Sequence, residues 1–127
     1  MRILLVGSGG VGDAIAKIAA RRSFFELMVV TDYDLTRAEN TIAWLRERHG
    51  SDTVDGRFVA DRIDASDATN VEVVARRHGA THVMNAVEPS FVPHVFAGAL
   101  AAGADYLDMA MSLSHPHPEN PFSETGE

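Results

Sequence analysis

The stretch Arg2-Ile3-Leu4-Leu5-Val6-Gly7-Ser8-Gly9-Gly10-Val11-Gly12 decides the fold. Arg2 to Val6 is a short run, almost entirely apolar, that ends at a glycine, which is typical of a strand buried on both faces. From Val11 to Arg22, apolar residues recur at helical spacing and predict one continuous apolar stripe on a helix. Residues 7–12 match the pattern G-x-G-x-x-G between that strand and that helix.

The glycine pattern predicts a loop that cradles phosphates. Gly7 would permit the tight turn, Gly9 would let the backbone approach a pyrophosphate, and Gly12 would let the helix pack closely on the strand. The free N–H groups at the start of the helix would face the phosphates. The alternative is a plain strand-to-helix turn. The predicted phosphate loop comprises Gly7, Ser8, Gly9, Gly10, Val11 and Gly12.

An acidic residue follows the second predicted strand. Asp32 lies about 20 residues past the last loop glycine, where a carboxylate accepts hydrogen bonds from the adenosine ribose of a dinucleotide. Tyr33 follows where NADP-binding proteins often carry a basic residue, so NAD is favoured. Arg37, one turn into the next helix, leaves NADP open. The alternative for Asp32 is a turn residue beside a helix.

Strands and helices alternate along the rest of the chain. Further strands are predicted over Leu27–Thr31, Arg57–Ile63, Thr81–Val87 and Ala104–Met109. Further helices are predicted over Leu35–His49, from a cap at Asp67 to Arg77 or His78, and over Ser90–Ala102, with a polar loop over Ser51–Gly56. We therefore predict an α/β fold, a Rossmann-type doubly wound parallel sheet in three layers with strand order 3-2-1-4-5.

Two more polar segments follow predicted strands. Asp64-Ala65 comes after the third strand, where this fold places the adenine, although Asp64 can equally be a plain turn or cap residue. Asn85-Ala86-Val87 ends the fourth strand, beside the switch point where ligands bind. A buried Asn85 needs hydrogen-bond partners, which favours a cofactor-side role over a purely structural one. Asp13, in the first helical turn, is expected to point to solvent.

Composition limits the classes of function. The chain has 127 residues, a net charge of −7, no cysteine, and eleven Lys and Arg residues that are scattered rather than clustered. This pattern argues against binding nucleic acid. No apolar run reaches the roughly 20 residues of a membrane span, and the N-terminus does not look like a signal peptide, so we expect a cytoplasmic protein. We predict no metal site, since His115 and His117 lie in a proline-rich loop without ligand spacing.

These residues together resemble the N-terminal nucleotide-binding domain of the saccharopine dehydrogenase family. The resemblance rests on Val6 to Gly12, on Asn85-Ala86-Val87 with Pro89 and Phe91, and on Ala102-Gly103-Ala104-Asp105-Tyr106-Leu107-Asp108. Residues 108–118 are similar to the branch with carboxynorspermidine and lysine dehydrogenase-like members. The chain departs from the family in carrying Glu88 where many relatives have a small or apolar residue.

The resemblance implies an oxidoreductase that moves a hydride between a nicotinamide and a C–N centre of an amine or amino-acid substrate. Residues 1–111 would be its NAD(P)-binding domain, and the irregular segment 112–127 would lead to a substrate domain beyond this chain. Catalysis by this chain alone is then not expected, and its catalytic residues are not identified. The alternative is a non-catalytic nucleotide-sensing domain like those of potassium-transport regulators; an S-adenosylmethionine-dependent methyltransferase fits the full glycine pattern less well. The exposed sheet edge leaves a homodimer open.

Overall fold

The fold is an open parallel sheet with helices on both faces, and a computed structural model describes residues 1–110 and Glu119. The strands are β1 (Arg2–Val6), β2 (Leu27–Asp32), β3 (Phe58–Arg62), β4 (His82–Asn85) and β5 (Asp105–Asp108). The helices are α1 (Gly10–Ala19), α2 (Leu35–His49), α3 (Ser51–Val54), α4 (Ala68–Arg77) and α5 (Val92–Ala102), with a 3-10 turn over Pro89–Phe91.

The five strands are parallel and run in the order β3-β2-β1-β4-β5. This confirms the predicted fold class and strand order. The order reverses direction at β1, between β2 and β4, so the loops that follow these strands meet at the carboxyl edge of the sheet.

The core has one apolar cluster on each face of the sheet. Along β1, Ile3 and Leu5 contribute to the cluster beneath α1 and α2, while Leu4 and Val6 contribute to the cluster beneath α4 and α5. All four side chains are at most 2% exposed. This explains the unbroken apolar run in the sequence, because a strand covered on both faces has no solvent side.

Side-chain caps define the starts of α2 and α4. The Asp34 carboxylate accepts a hydrogen bond of 3.0 Å from the Thr36 N–H, and the Asp67 carboxylate accepts one of 2.9 Å from the Thr69 N–H. Gly50 ends α2 at a φ of +82°, a conformation that favours glycine. The predicted bounds of α2, Leu35 to His49, are therefore confirmed.

Several predicted bounds differ from the structure by a few residues. α1 ends at Ala19 rather than Arg22, because the next residues tighten into bonds of the 3-10 type such as Arg22 N–H to Ala19 O. The segment predicted as a loop after Gly50 contains the short helix α3, anchored by the fully buried Val54. The predicted segment 112–127 lies outside the described residues apart from Glu119.

Candidate functional site: a cleft at the carboxyl edge of the sheet

A cleft of about 550 Å³ opens where the loops after β1, β2, β3 and β4 meet. Eight of the thirteen predicted site residues line it: Gly7, Gly9, Asp32, Tyr33, Asp64, Ala65, Ala86 and Val87. The topology brings these residues together from four separate segments of the chain.

The glycine loop is shaped by two close approaches. Gly7 has a φ of +93°, and a Cβ there would lie 2.6 Å from Val87 Cγ1. A Cβ on Gly12 would lie 1.8 Å from the Gly7 carbonyl oxygen. Neither position can hold a larger residue without moving backbone or a packed neighbour. These two glycines therefore fix the turn and the packing of α1 on it.

Gly9 is different, because its environment is open. A Cβ on Gly9 would meet no atom within 4 Å, and its φ of −69° suits any residue. The fold does not require glycine here, so the bare backbone leaves space for something outside the protein. An open backbone, with no Cβ in the way, is what a backbone-bound pyrophosphate needs. The site thus fits a dinucleotide at this point.

The first N–H groups of α1 face the same region. Gly9 supplies no side-chain cap, and Asp13 makes the first backbone bond of the helix, 2.8 Å to the Gly9 carbonyl. The N–H groups of Gly10, Val11 and Gly12 precede that bond and so have no acceptor within the helix. Together with the helix dipole, they form a place for negative charge. The Val11 side chain itself is 52% exposed and does not line the cleft.

Asp32 is held against the loop by Ser8. One carboxylate oxygen accepts hydrogen bonds from the Ser8 N–H at 2.9 Å and the Ser8 hydroxyl at 3.2 Å. The other accepts from the Asp34 N–H at 3.1 Å. A carboxylate has about four lone-pair positions, so it keeps acceptor capacity toward the cleft. Ser8 therefore holds the Asp32 carboxylate in place, while Ser8 itself does not line the cleft.

The far end of the cleft combines an aromatic ring with a structured turn. The Tyr33 ring is 64% exposed, and the Arg62 guanidinium lies 4.7 Å from its centroid. Asp64 accepts hydrogen bonds from the N–H and the hydroxyl of Ser66, and these bonds hold the pKa of Asp64 below its ordinary value. Asp64 thus has a defined structural task in its turn, while Ala65 offers an apolar wall.

Asn85 is buried beneath the cleft at 1% exposure. Its amide nitrogen donates to the Tyr106 hydroxyl at 3.0 Å, and its amide oxygen accepts from the Val87 N–H at 3.0 Å. Both polar atoms of the amide thus have a protein partner, and Asn85 does not line the cleft.

Some lining residues are absent from the predicted set. The cleft is also lined by Ile63, Ser66, Glu88, Phe91 and Arg37. Of these, Arg37 had been considered from the sequence only because of its positive charge. Ser66 and Ile63 could have been found from their places beside Asp64. Phe91 lies on a 3-10 turn whose direction the sequence does not reveal.

Asp13 does not simply point to solvent as expected. Its carboxylate accepts a hydrogen bond of 2.8 Å from the Thr41 hydroxyl on α2 and forms an ion pair of 2.5 Å with Lys17. The pairing with Lys17 offsets the negative charge that Asp13 places near the start of α1.

The described part of the chain lacks the features of a metal site and of a membrane span. There, no group of three or more His, Asp or Glu residues is arranged to hold a metal ion. Over the same residues, no helix combines the length and apolar character needed to cross a bilayer. His115 and His117 lie outside the described residues.

Several solved structures share this fold. Saccharopine dehydrogenase (L-Glu forming) from Saccharomyces cerevisiae superimposes with a TM-score of 0.68 at 20% identity, over 89% of this chain and 22% of that chain. TcdA (CsdL) matches with a TM-score of 0.65 at 19% identity, over 84% of this chain and 49% of that chain. Quinate dehydrogenase from Corynebacterium glutamicum, in complex with NAD, matches at 0.52 and 21% identity, over 84% of this chain and 43% of that chain. At such identities the likeness shows the fold alone, and this chain spans less than half the length of each.

The family is shown by a sequence comparison that covers nearly the whole chain. Residues 3–125 match the family model described as the saccharopine dehydrogenase NADP binding domain. The chain therefore belongs to the saccharopine dehydrogenase family, as its pyridine-nucleotide-binding domain.

Proposed function

We propose that the cleft binds NAD, with the glycine loop against the pyrophosphate and Asp32 at the adenosine ribose. The observation that carries this proposal is the open backbone at Gly9, next to a carboxylate held in place in the same cleft. A plain turn would need glycine at positions 7 and 12, but it would not need the open position between them.

Each part of the cofactor has a candidate partner. The N–H groups of Gly10 to Gly12 would donate to the pyrophosphate oxygens. The remaining lone-pair position of Asp32 would accept from a ribose hydroxyl. The adenine would lie between the exposed Tyr33 ring and the wall formed by Ala65, where the apolar faces of both suit a flat base.

Asp32 favours NAD over NADP on electrostatic grounds. A ribose 2′-phosphate would bring negative charge against a carboxylate that already faces the cleft. The family is described as NADP-binding, and Arg37 lines the cleft close to Asp32. Arg37 is therefore the residue that would accept a 2′-phosphate if the preference were reversed.

The reaction proposed for the complete oxidoreductase is oxidation or reduction at a C–N bond. When bound, the nicotinamide would exchange a hydride with an imine or a secondary amine of an amino-acid or polyamine type. The residues of this chain would bind and orient the cofactor, while segment 112–127 would lead to a domain that holds the small amine substrate. The chain spans 22% of the length of the matched saccharopine dehydrogenase.

Two other expectations from the sequence, the alternative of a nucleotide sensor and the cytoplasmic location, remain predictions. A non-catalytic nucleotide sensor would share the cleft but would show no hydride transfer to an amine or imine substrate when the whole protein is assayed. The cytoplasmic location is tested by fractionation of the source cells.

The position of the cofactor can be tested by nuclear magnetic resonance. Addition of NADH to the ¹⁵N-labelled chain should shift the amide signals of residues 7–12, 32–33 and 64–65, because these groups surround the proposed ligand. Shifts confined to residues outside the cleft would contradict the proposal.

A further inference from the structure

Asn85 links β5 to the floor of the phosphate loop. It pairs with Val6 on one side and with Asp108 on the other, so it lies between β1 and β5 in the sheet. Its side chain donates to the Tyr106 hydroxyl at 3.0 Å and accepts from the Val87 N–H at 3.0 Å. One buried amide therefore connects a tyrosine on the outer strand to the turn after β4.

That turn is in contact with the glycine loop. A Cβ on Gly7 would lie 2.6 Å from Val87 Cγ1 and 3.3 Å from the Ala86 carbonyl oxygen. A Cβ on Gly12 would lie 3.5 Å from Ala86 Cβ. Ala86 and Val87 are thus the surface on which the loop packs, and a displacement of either residue would be transmitted to the loop.

The Tyr106 hydroxyl is suited to hold Asn85 in one orientation. Its ring is half-buried and packs edge-on against Phe96, with centroids 5.3 Å apart, while the pairing of β5 with β4 holds the Tyr106 backbone beside the strand that carries Asn85. Burial raises the pKa of Tyr106 to about 12, a rise that Asp108 supports and the Asn85 hydrogen bond opposes. The hydroxyl is therefore protonated at neutral pH and does not serve as a base.

We propose that Tyr106 is a positioning residue for cofactor binding, which acts through Asn85 to hold the Ala86-Val87 turn beneath the phosphate loop. Without the hydroxyl, the Asn85 amide nitrogen would be buried without this partner. The amide would then turn to find another partner and release the Val87 N–H. This inference rests on the proposed function, because it assumes that the loop binds a pyrophosphate.

The test compares two probes in titrations of Tyr106→Phe. ADP-ribose carries the pyrophosphate that the loop would hold, whereas adenosine reaches only the ribose and adenine end of the cleft. We expect Tyr106→Phe to weaken ADP-ribose binding by about three- to tenfold, the range set by one hydrogen bond. Its affinity for adenosine should stay within twofold of the wild type. A tyrosine that only stabilised the sheet would leave both affinities unchanged in the folded protein.

Phe96→Leu is the matched control, because it removes the ring contact of Tyr106 and leaves the hydroxyl in place. It should lower the melting temperature while leaving the ratio of the two affinities unchanged. In spectra without ligand, Tyr106→Phe should shift the amide signals of Gly7 and Val87, and Phe96→Leu should shift them less.

Asn85→Ala provides a second variant and should show the same selective loss of ADP-ribose binding. If both Tyr106→Phe and Asn85→Ala fail to fold, the two residues stabilise the sheet and the proposal is wrong. Equal binding of ADP-ribose by Tyr106→Phe and the wild type would overturn this inference alone. If the wild type binds neither ADP-ribose nor NADH, both the proposed function and this inference fail.

Discussion

At the scale of single residues, the three glycines of the phosphate loop have different tasks. Gly7 and Gly12 are required by the protein itself, since a Cβ on either would come within 3 Å of a neighbouring atom. Gly9 is required by nothing within the described part of the protein. The sequence pattern shows three equivalent letters, whereas their surroundings divide them into two positions that the fold requires and one open position, to which we assign the binding role.

Substitution should separate these tasks. Gly9→Val should leave the free energy of unfolding within about 0.5 kcal/mol of the wild type, because its Cβ lies in open space. It should abolish NADH binding, because the isopropyl group would fill the place of the pyrophosphate. Circular dichroism with denaturant and NADH fluorescence titration measure the two effects. A Gly9→Val protein that is unfolded, or one that still binds NADH, contradicts this assignment.

Gly12→Ala is the complementary change. Its methyl group would lie 1.8 Å from the Gly7 carbonyl oxygen, so α1 or the loop has to move. We expect a loss of about 2 kcal/mol or more in the free energy of unfolding, in the upper range of overpacked sites. If Gly12→Ala is as stable as the wild type in the same denaturation experiment, the loop can move more easily than this contact implies.

Asp32 determines the expected choice between the two nucleotides. Asp32→Ala should narrow the preference for NADH over NADPH, because the carboxylate no longer repels a 2′-phosphate beside Arg37. Asp34→Ala is the matched control, since it removes a neighbouring carboxylate that caps α2. The control should cost about 1 kcal/mol of stability and leave the nucleotide ratio unchanged. An unchanged ratio in Asp32→Ala would remove Asp32 from the ribose site.

At the scale of elements, β3 and α4 are joined by a charged cluster. The Asp61 carboxylate accepts from Arg77 at 2.9 Å and lies 2.8 Å from His78 Nε2. Burial alone would raise the pKa of Asp61, but the hydrogen bonds from His78, the Arg62 N–H and Arg77 outweigh it and lower the pKa. A carboxyl group whose pKa is lowered on folding stabilises the protein while it is ionised.

The sign of the pH dependence follows from that direction. The contribution of Asp61 is fully present above the pKa of the unfolded chain, about pH 4, and is lost as the pH falls through the lower folded value. Asp61→Asn should therefore destabilise the protein at pH 7 and reduce its loss of stability below pH 4. Urea denaturation from pH 2.5 to 7 measures this, with Asp55→Asn as the surface-carboxylate control. An identical acid dependence in Asp61→Asn and wild type would refute the assignment.

The elements also show what a sequence can and cannot predict. The bounds of α2 follow from local signals at Asp34 and Gly50, so the prediction was correct to the residue. The partners of Asp13 and Asn85 are different, because Thr41 and Tyr106 lie 28 and 21 positions away on other elements. No local pattern contains such a contact, so the solvent-facing orientation expected for Asp13 was wrong.

At the scale of the whole molecule, the sheet is less completely covered on the β4–β5 side facing α1. Ile18, Phe24, Leu107 and Met109 are each at least 50% exposed and line one apolar groove there. The strand order was predictable because alternating elements and a switch-point motif leave few topologies. The extent of this groove was not, because it depends on which segments pack against the edge strand.

Formation of a homodimer therefore remains a prediction, and the exposed apolar groove allows it to be tested. An exposed apolar groove beside the outer edge of β5, which pairs with no other strand among the described residues, favours association in water. We expect the sedimentation coefficient of the chain to rise with protein concentration and the rise to be reduced by Leu107→Lys. A coefficient that stays constant over the same concentrations would argue against self-association.

In our proposal, this cleft binds a dinucleotide through the glycine loop, with Asp32 at the ribose. Calorimetric titration of the chain with NADH and, separately, with NADPH tests it most directly. We expect one molecule to bind per chain, with NADH the tighter ligand. Tighter binding of NADPH would contradict the role proposed for Asp32. It would instead indicate that Arg37 determines the nucleotide preference. The absence of any heat of binding with either nucleotide, and of any competition between the two nucleotides, would contradict the claim that this chain forms the binding site.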